Sequence, residues 1–447
     1  MYHDLTQGNI TRGLLRFALP MIAGDLLQQL YNIADTLIVG RALGRDALAA
    51  VGSAFSLMIF LTSVFLGLSM GAGALFSIRR GQGDDRGLRT AAGHAFLLIA
   101  GVTAVLTAAV YLLLDGILRF LQIPPALYAP MREYLAIIFA GLAGTFLYNF
   151  FACLLRAVGN SVAPLWFLGA AALLNVGLDL LFVLVFRWGV AGAAATVIAQ
   201  TLSGAGLAAY TWRRCRELLP LPGEFRLEGA VFRELWGLSS LTCLQQCAMN
   251  FGILLIQRLV DSFGPVTMAA FAAGVKIDAF AYLPVQDFGN AFSTFVAQNY
   301  GAGQSERLRR GFRRAMALSL GFACLLSAAA AGFAEPLMGL FLQPEETAVL
   351  AAGVRYLRIE GAFYPGIACL FLLYGIYRAV RRPGMSVVLT VLSLGTRVAL
   401  AYALAGPVGE SGIWWAIPIG WFLADAVGLG YYFRHRRTLL PDRRSEE

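Results

Sequence analysis

Gly81-Gln82-Gly83 and Gly301-Ala302-Gly303 stand 220 residues apart, and each leads through an arginine-rich stretch into an apolar helix. Other anchors keep nearly the same offset: Phe120-Leu121-Gln122 returns as Phe341-Leu342-Gln343, Tyr134-Leu135 as Tyr356-Leu357, and Arg156-Ala157-Val158 as Arg378-Ala379-Val380. The two halves therefore read as direct repeats of one bundle. A membrane chain made of two homologous apolar bundles is the usual build of a secondary transporter, whose halves rock to expose a site between them.

With 58% hydrophobic and 14% charged residues and a mean hydropathy of +0.69, the 447-residue chain has too little polar surface to coat a soluble particle. It reads as an all-α integral membrane protein. Apolar runs of about 20 residues, enough to cross roughly 30 Å of hydrocarbon, predict twelve spans, near 14–40, 47–77, 91–114, 128–153, 163–186, 190–211, 236–259, 266–297, 315–334, 350–377, 384–405 and 412–433. The expected organisation is a six-helix lobe over 1–212, a cytoplasmic linker over 213–233, and a six-helix lobe with a cytoplasmic tail over 234–447. Pro220, Pro222 and Gly223 mark the linker, which suits a short amphipathic helix. The matching outer segments 115–130 and 335–347 suit interfacial helices. Gly67 and Gly71, four apart, permit close helix contact.

Arginine placement orients the spans, because cytoplasmic loops retain basic residues. With the N-terminus inside, the inner loops and tails collect most of the 35 lysines and arginines, including Arg79, Arg80, Arg86, Arg89, Arg213, Arg214, Arg216, Arg226, Arg233, Arg307, Arg309, Arg310, Arg313 and Arg314. Both termini are expected in the cytoplasm, and the protein in the cell (inner) membrane. This belt accounts for the net charge of +9, so the basic balance does not call for a nucleic acid. The long first apolar run lacks a small-residue cleavage pattern and is expected to serve as its own insertion signal.

The six cysteines show no paired spacing for zinc or a disulfide. His3, His94 and His435 fall at or near predicted helix ends, which excludes a histidine relay in mid-membrane. No nucleophile-and-base set or metal triad appears at matching depth, so neither an enzyme nor a cofactor is expected. Two repeated lobes without a filter-like loop argue against a channel.

A carboxylate in hydrocarbon is costly, which makes the acids inside the spans functional candidates. On helix 1, Gln28, Tyr31, Asn32 and Asp35 follow i, i+3, i+4, i+7 spacing, with Asp25 and Gln29 near the same face. On helix 5, Asn175 and Asp179 project together. At 1.5 Å per residue, Asp35, Asp179 and the helix-6 Thr196 all lie roughly 8–11 Å below the outer boundary. Two carboxylates, an amide and a hydroxyl at one depth can enclose a small cation. It can be a proton, because two close carboxylates cannot both ionise cheaply, or Na⁺, which takes hard oxygen ligands. A static reading stays open, in which the acids only hydrogen-bond neighbouring helices.

The second half does not copy these positions. By repeat alignment Asp35 falls opposite Gly252, Asn175 opposite Arg397 and Asp179 opposite Ala401. It has its own stripe of Thr242, Gln246, Asn250 and Gln257 on helix 7, then Lys276, Asp278, Asp287 and Asn290 on helix 8, with Glu360, Arg397 and Asp425 beyond. Lys276, the sole lysine, and Asp278 point to different faces and each needs another partner. Arg397 with Glu360 or Asp425 is one candidate internal lock, and locking, coupling and substrate contact all stay open for these charges.

At these residues the chain resembles the multidrug and toxic compound extrusion (MATE) family. The resemblance runs through nearly all of 10–435 and rests on an ordered set: Leu19-Pro20 through Gln28-Gln29-Leu30-Tyr31-Asn32-Ile33-Ala34-Asp35, Ala49-Ala50-Val51-Gly52, Gly81-Gln82-Gly83-Asp84, Leu155-Arg156-Ala157-Val158-Gly159-Asn160, Leu174-Asn175 through Asp179, Gly189 through Thr196, and Val296-Ala297-Gln298-Asn299-Tyr300-Gly301. It implies two pseudo-symmetric six-helix lobes forming a V-shaped cleft. It also implies a cation site at Asp35, Asn175, Asp179 and Thr196, a substrate region near Gln28 and Asn149, and a protonation-linked bend of helix 1 at Pro20. Branches with an essential acid on helix 7 differ, since only Gln245, Gln246 and Asn250 stand there.

The resulting reading is an antiporter that exports amphipathic organic cations in exchange for H⁺ or Na⁺ by alternating access. Tyr31, Asn32, Gln246 and Asn250 are further candidates for the substrate pocket, and Met21, Phe55, Met58 and Tyr148 for its apolar lining. Its partners are small cationic molecules and the bilayer, and a monomer is expected. The alternative is a lipid-linked oligosaccharide flippase of the same superfamily, which needs a basic cleft and is opposed by the first-lobe acids.

Overall fold

The computed structural model describes the chain apart from residues 1–2, 121–124, 187, 189–191, 222–225, 343–345 and 440–447, and apart from the side chains of 34–57, 120, 125–127, 130 and 184. The described elements are helical. They run α1 (Ile10–Gln82), α2 (Asp85–Leu112), α3 (Leu114–Phe120), α4 (Pro125–Ala140), α5 (Leu142–Ala157), α6 (Val162–Asp179), α7 (Ala194–Arg214), α8 (Gly229–Asp261), α9 (Pro265–Gly301), α10 (Ser305–Gly332), α11 (Ala334–Gly339), α12 (Thr347–Gly361), α13 (Tyr364–Ala379), α14 (Pro383–Val408) and α15 (Glu410–Leu439).

Among the described residues nine helical segments are long and apolar enough to cross a membrane, and ten if α12 and α13, bent by 49° at a short break, count as one. The chain is thus a multi-pass, all-α membrane protein. The expected spans 14–40 and 47–77 both fall within α1, and the side chains between them lie outside the described residues. The short helices α3 and α11 occupy the matched outer segments. Of the linker, the described residues hold the end of α7, one 3-10 turn, Arg216–Leu218, and the start of α8 at Gly229; residues 222–225, where the expected amphipathic helix could also fall, lie outside the described residues.

The repeat is visible in backbone conformation. α1 and α9 both end on a left-handed glycine, Gly83 (φ +72°) and Gly303 (φ +69°), which reverses the chain without a Cβ clash. The turn after α5 uses Gly159 at φ +88°, and the equivalent turn after α13 places Arg381 at φ +61°.

Internal contacts divide the chain into two compact units. The first comprises Met1–His3, Ala23–Arg80 and Asp84–Cys243, and the second Asp4–Ile22, Gly81–Gly83 and Leu244–Glu447. In the first, Phe146, Phe150, Phe151 and Leu154 of α5 are buried against Leu75 and Phe76 of α1 and Leu88, Ala91 and Ala95 of α2. Gly67 and Gly71 do permit close contact, and the partner is the start of α8. A Cβ on Gly67 would stand 2.5 Å from the Cα of Cys243, and one on Gly71 would stand 2.5 Å from the Cα of Ser239. That seam draws the first half of α8 into the first unit.

In the second unit α13 is buried nearly all round, as a helix enclosed by others must be. The N-terminal arm belongs to this unit because it is clasped there. Leu5 is buried, its N–H donates to Gln298 (3.2 Å), and its carbonyl accepts from Asn299 (3.1 Å) and Arg307.

Candidate ion-coupling site

Asn175 and Asp179 stand one turn apart on the inner face of α6, each only 2% exposed, in a helix that is otherwise apolar. α6 ends at Asp179 and continues as a π-helical turn, Leu180–Val185. Such widened turns cluster at functional positions because they rotate the following side chains and loosen the backbone ladder. Thr196 lies in the first turn of α7, where backbone N–H groups lack partners within the helix.

These three residues meet. A carboxylate can only accept, so the amide nitrogen of Asn175 faces Asp179 and donates to its Oδ2 (3.2 Å). Asn175 Oδ1 accepts from Thr196 Oγ1 (3.2 Å) and from the Thr196 N–H (3.3 Å). The start of α7 adds its positive helix end beside the acid. A buried carboxylate held through one amide by a hydroxyl and a helix N-terminus is an arrangement that can exchange a small cation or proton with little movement.

A second polar link leads away from the triad. Gln200, one turn beyond Thr196, shares a hydrogen bond with Thr145 of α5 (3.0 Å), and Asn149, one turn beyond Thr145, donates to the Thr145 carbonyl (2.8 Å). Thr145 and Gln200 were not among the candidates. Their spacing of four from Asn149 and Thr196 was the available signal, but each alone looks like an ordinary helix–helix contact.

Asp35 lies outside the described residues. Of its neighbours on α1, Gln28, Tyr31 and Asn32 are half-buried, and Asn32 donates to Gln29 (3.3 Å). Asp25 and Tyr31 lie within electrostatic reach of Tyr148, whose hydroxyl donates to the Pro164 carbonyl (3.3 Å). Pro20 sits inside α1, where it removes one backbone hydrogen bond. Gln246 is buried, and Asn250 donates to its carbonyl (3.3 Å).

The second-unit charges separate. Lys276 is exposed on α9, whereas Asp278 and Asp287 on the same helix are buried. Asp278 finds its partners across the unit in the hydroxyls of Tyr356 and Tyr364. Glu360 and Arg397 are also buried, but the proposed lock is not made: no ion pair joins Arg397 to Glu360 or Asp425 among the described residues, and Arg397 Nε has no hydrogen-bond partner.

A family model described as MatE matches residues 20–181 and 242–403, one stretch in each repeat. The chain is 28% identical over 432 residues to the probable multidrug resistance protein YpnP of Bacillus subtilis, covering 96% of each. It is 24% identical over 455 residues to a protein of Shewanella oneidensis named FAD transporter, covering 98% of this chain and 97% of that one. A solved structure described as the outward-facing conformation of a multidrug resistance MATE family transporter superposes with a TM-score of 0.91 at 22% identity, covering 97% of this chain and 98% of the other, and shares its fold.

Proposed function

The chain belongs to the MatE family, and from that premise we propose that it is a secondary antiporter exporting amphipathic organic cations in exchange for H⁺ or Na⁺. The observation that carries the proposal is the triad of buried Asn175 and Asp179 with half-buried Thr196, which offers carboxylate, amide and hydroxyl oxygens at one place in the membrane. We assign Asp35 to the same site as its helix-1 member from its spacing and depth in the sequence alone. Charge at the acids attracts a cationic substrate, and loading of H⁺ or Na⁺ cancels it, so the two ligands compete for one negative field. Coupling requires only that they favour opposite states of the transporter. A preference of about 5.5 kcal/mol would move an equilibrium from 1:99 to 99:1, and smaller biases suffice for partial coupling.

The polar link through Gln200 and Thr145 to Asn149 supports communication between ion and substrate positions, because removing any partner leaves a polar group unsatisfied. The flippase alternative loses support, since Arg397, half of the basic pair it would use, is buried within the second unit. We place the protein in the cell (inner) membrane with both termini cytoplasmic, following the arginine belt.

The test is efflux of a fluorescent organic cation from proteoliposomes under an imposed pH or Na⁺ gradient. The wild type should respond to one of the gradients and Asp179→Asn should not. Wild-type transport indifferent to both gradients would sink the proposal.

A further inference from the structure

Two exposed tryptophans and three arginines gather at one end of the α6 and α7 pair, the end opposite the ion-coupling triad. The two helices are antiparallel: Asn175 meets Thr196 near the end of α6 and the start of α7, whereas the rings of Phe167 and Tyr210 pack 5.9 Å apart toward the start of α6 and the end of α7. The seam is closed there, because Ser203 Oγ donates to the Phe167 carbonyl (3.1 Å) and a Cβ on Gly206 would stand 2.8 Å from the Phe167 ring. Away from the seam, residues at helical spacing leave one face of each helix exposed, with Val162, Trp166 and Leu173 on α6 and Ile198, Leu202 and Trp212 on α7. Ala163 of α6 and Leu207 of α7 are buried in the same core cluster, so the two exposed faces lie on the same side of the pair. Trp166 is 74% exposed and Trp212 58%. Indoles left so open are at home where hydrocarbon meets water.

The polar end of this face is basic. Arg213 and Arg214 close α7, and Arg216 opens the 3-10 turn that follows, with its guanidinium 4.2 Å from the centre of the Trp212 ring. The three arginines are exposed and none forms an ion pair among the described residues, while Glu217 is the one acid between 213 and 218. Cys215 and Leu218 are buried in the core of the unit, which anchors the turn and holds the arginines in place. Along the pair the order is therefore apolar, then aromatic, then cationic. A phospholipid presents acyl chains, glycerol esters and phosphate in that same order. A soluble anion would use the arginines and leave the apolar face uncovered, whereas a lipid matches both.

We propose that this end of the α6 and α7 pair is a seat for one anionic phospholipid of the leaflet it faces, the inner one in the orientation proposed above. Arg213, Arg214 and Arg216 take the phosphate, Trp166 and Trp212 flank the glycerol region, and the chains run along Leu173 and Leu202. A zwitterionic headgroup is the poorer fit, because it brings its own cation to a cationic surface. The same two helices carry Asn175, Asp179 and Thr196, so the lipid fastens together the pair on which the triad is built. The proposal does not rest on the transport reading.

Native mass spectrometry of the full-length protein in detergent, titrated with phosphatidylglycerol or with phosphatidylcholine of the same chains, reads the binding without any transport step. The wild type should hold phosphatidylglycerol more tightly. Each arginine beside a lipid phosphate is worth about fivefold in affinity, so Arg213→Gln combined with Arg214→Gln should weaken phosphatidylglycerol about 25-fold and leave phosphatidylcholine unchanged. Arg436→Gln combined with Arg437→Gln removes the same charge at the end of α15 and should leave the tight binding in place. These four arginines are exposed, so their loss leaves the fold intact. Equal wild-type affinity for the two lipids, or an equal loss in the two double variants, overturns the seat. Glycerol 3-phosphate should not displace the lipid; displacement at lipid-like concentrations would overturn the lipid assignment in favour of a soluble phosphate. Phosphatidylglycerol should also raise the melting temperature of the wild type and not that of the Arg213→Gln, Arg214→Gln variant, and an equal rise in both likewise overturns the proposal.

Discussion

Thr196→Val keeps a branched side chain and deletes one hydroxyl at the centre of the ion-coupling triad. In the structure that hydroxyl makes one of the three hydrogen bonds of the Asn175 amide, at 3.2 Å, while the Thr196 backbone N–H makes another at 3.3 Å. The substitution therefore weakens the hold on Asn175 without releasing it. Loss of one such bond is worth about 0.5–1.5 kcal/mol, which corresponds to about a 2- to 13-fold rise in the coupling-ion concentration for half-maximal efflux. Thr196→Ser retains the oxygen and should stay near wild type. The assay is initial efflux from proteoliposomes against external pH or Na⁺, with protein folding checked by thermal unfolding. An unchanged half-saturation in Thr196→Val, or an effect of Thr196→Ser as large as that of Val, would refute the assignment of the hydroxyl to the site.

Other outcomes follow from packing, backbone and charge. Gly71→Ala drives a Cβ into the α8 backbone at Ser239 and should cost about 1–3 kcal/mol by overpacking, whereas Gly101→Ala, with nothing within 4 Å, should be neutral or stabilising; thermal melts in detergent compare the two. Arg381→Gly relieves the left-handed conformation at φ +61° and should stabilise by about 1 kcal/mol, visible as a higher melting temperature; a lower one would mean that the arginine side chain outweighs the backbone strain. Asp115 accepts from Arg132 (2.9 Å) and Tyr128 (3.0 Å), which hold its carboxyl below the ordinary 3.8. The folded value is the lower one, so this contribution is present above the unfolded value and lost as pH falls through the folded one. Asp115→Asn should thus differ slightly from wild type at pH 7 and converge with it in acid; a gap that widens on acidification contradicts the pairing.

Much of this protein was legible before any coordinates. Hydropathy over about 20 residues reports whether a segment can replace water with lipid, so the spans, the repeat at Gly81 and Gly301 and the small-residue seam at Gly67 and Gly71 followed from the sequence alone. The distance of a side chain along its helix is also a sequence property, since each residue advances 1.5 Å, and that is why Asp35, Asp179 and Thr196 were grouped by depth and Asn175 was joined to Asp179 by its i, i+4 spacing. Rotation about the axis and the choice of neighbouring helix are not local properties. They depend on how whole surfaces interlock, so only the tertiary structure put Asp278 under two tyrosines, kept Arg397 from pairing with Glu360, and linked Gln200 to Thr145. The π-helical turn after Asp179 and the break between α12 and α13 belong to the same class, because backbone distortion is tolerated where surrounding helices satisfy the freed groups, and those surroundings exist only once the chain has folded.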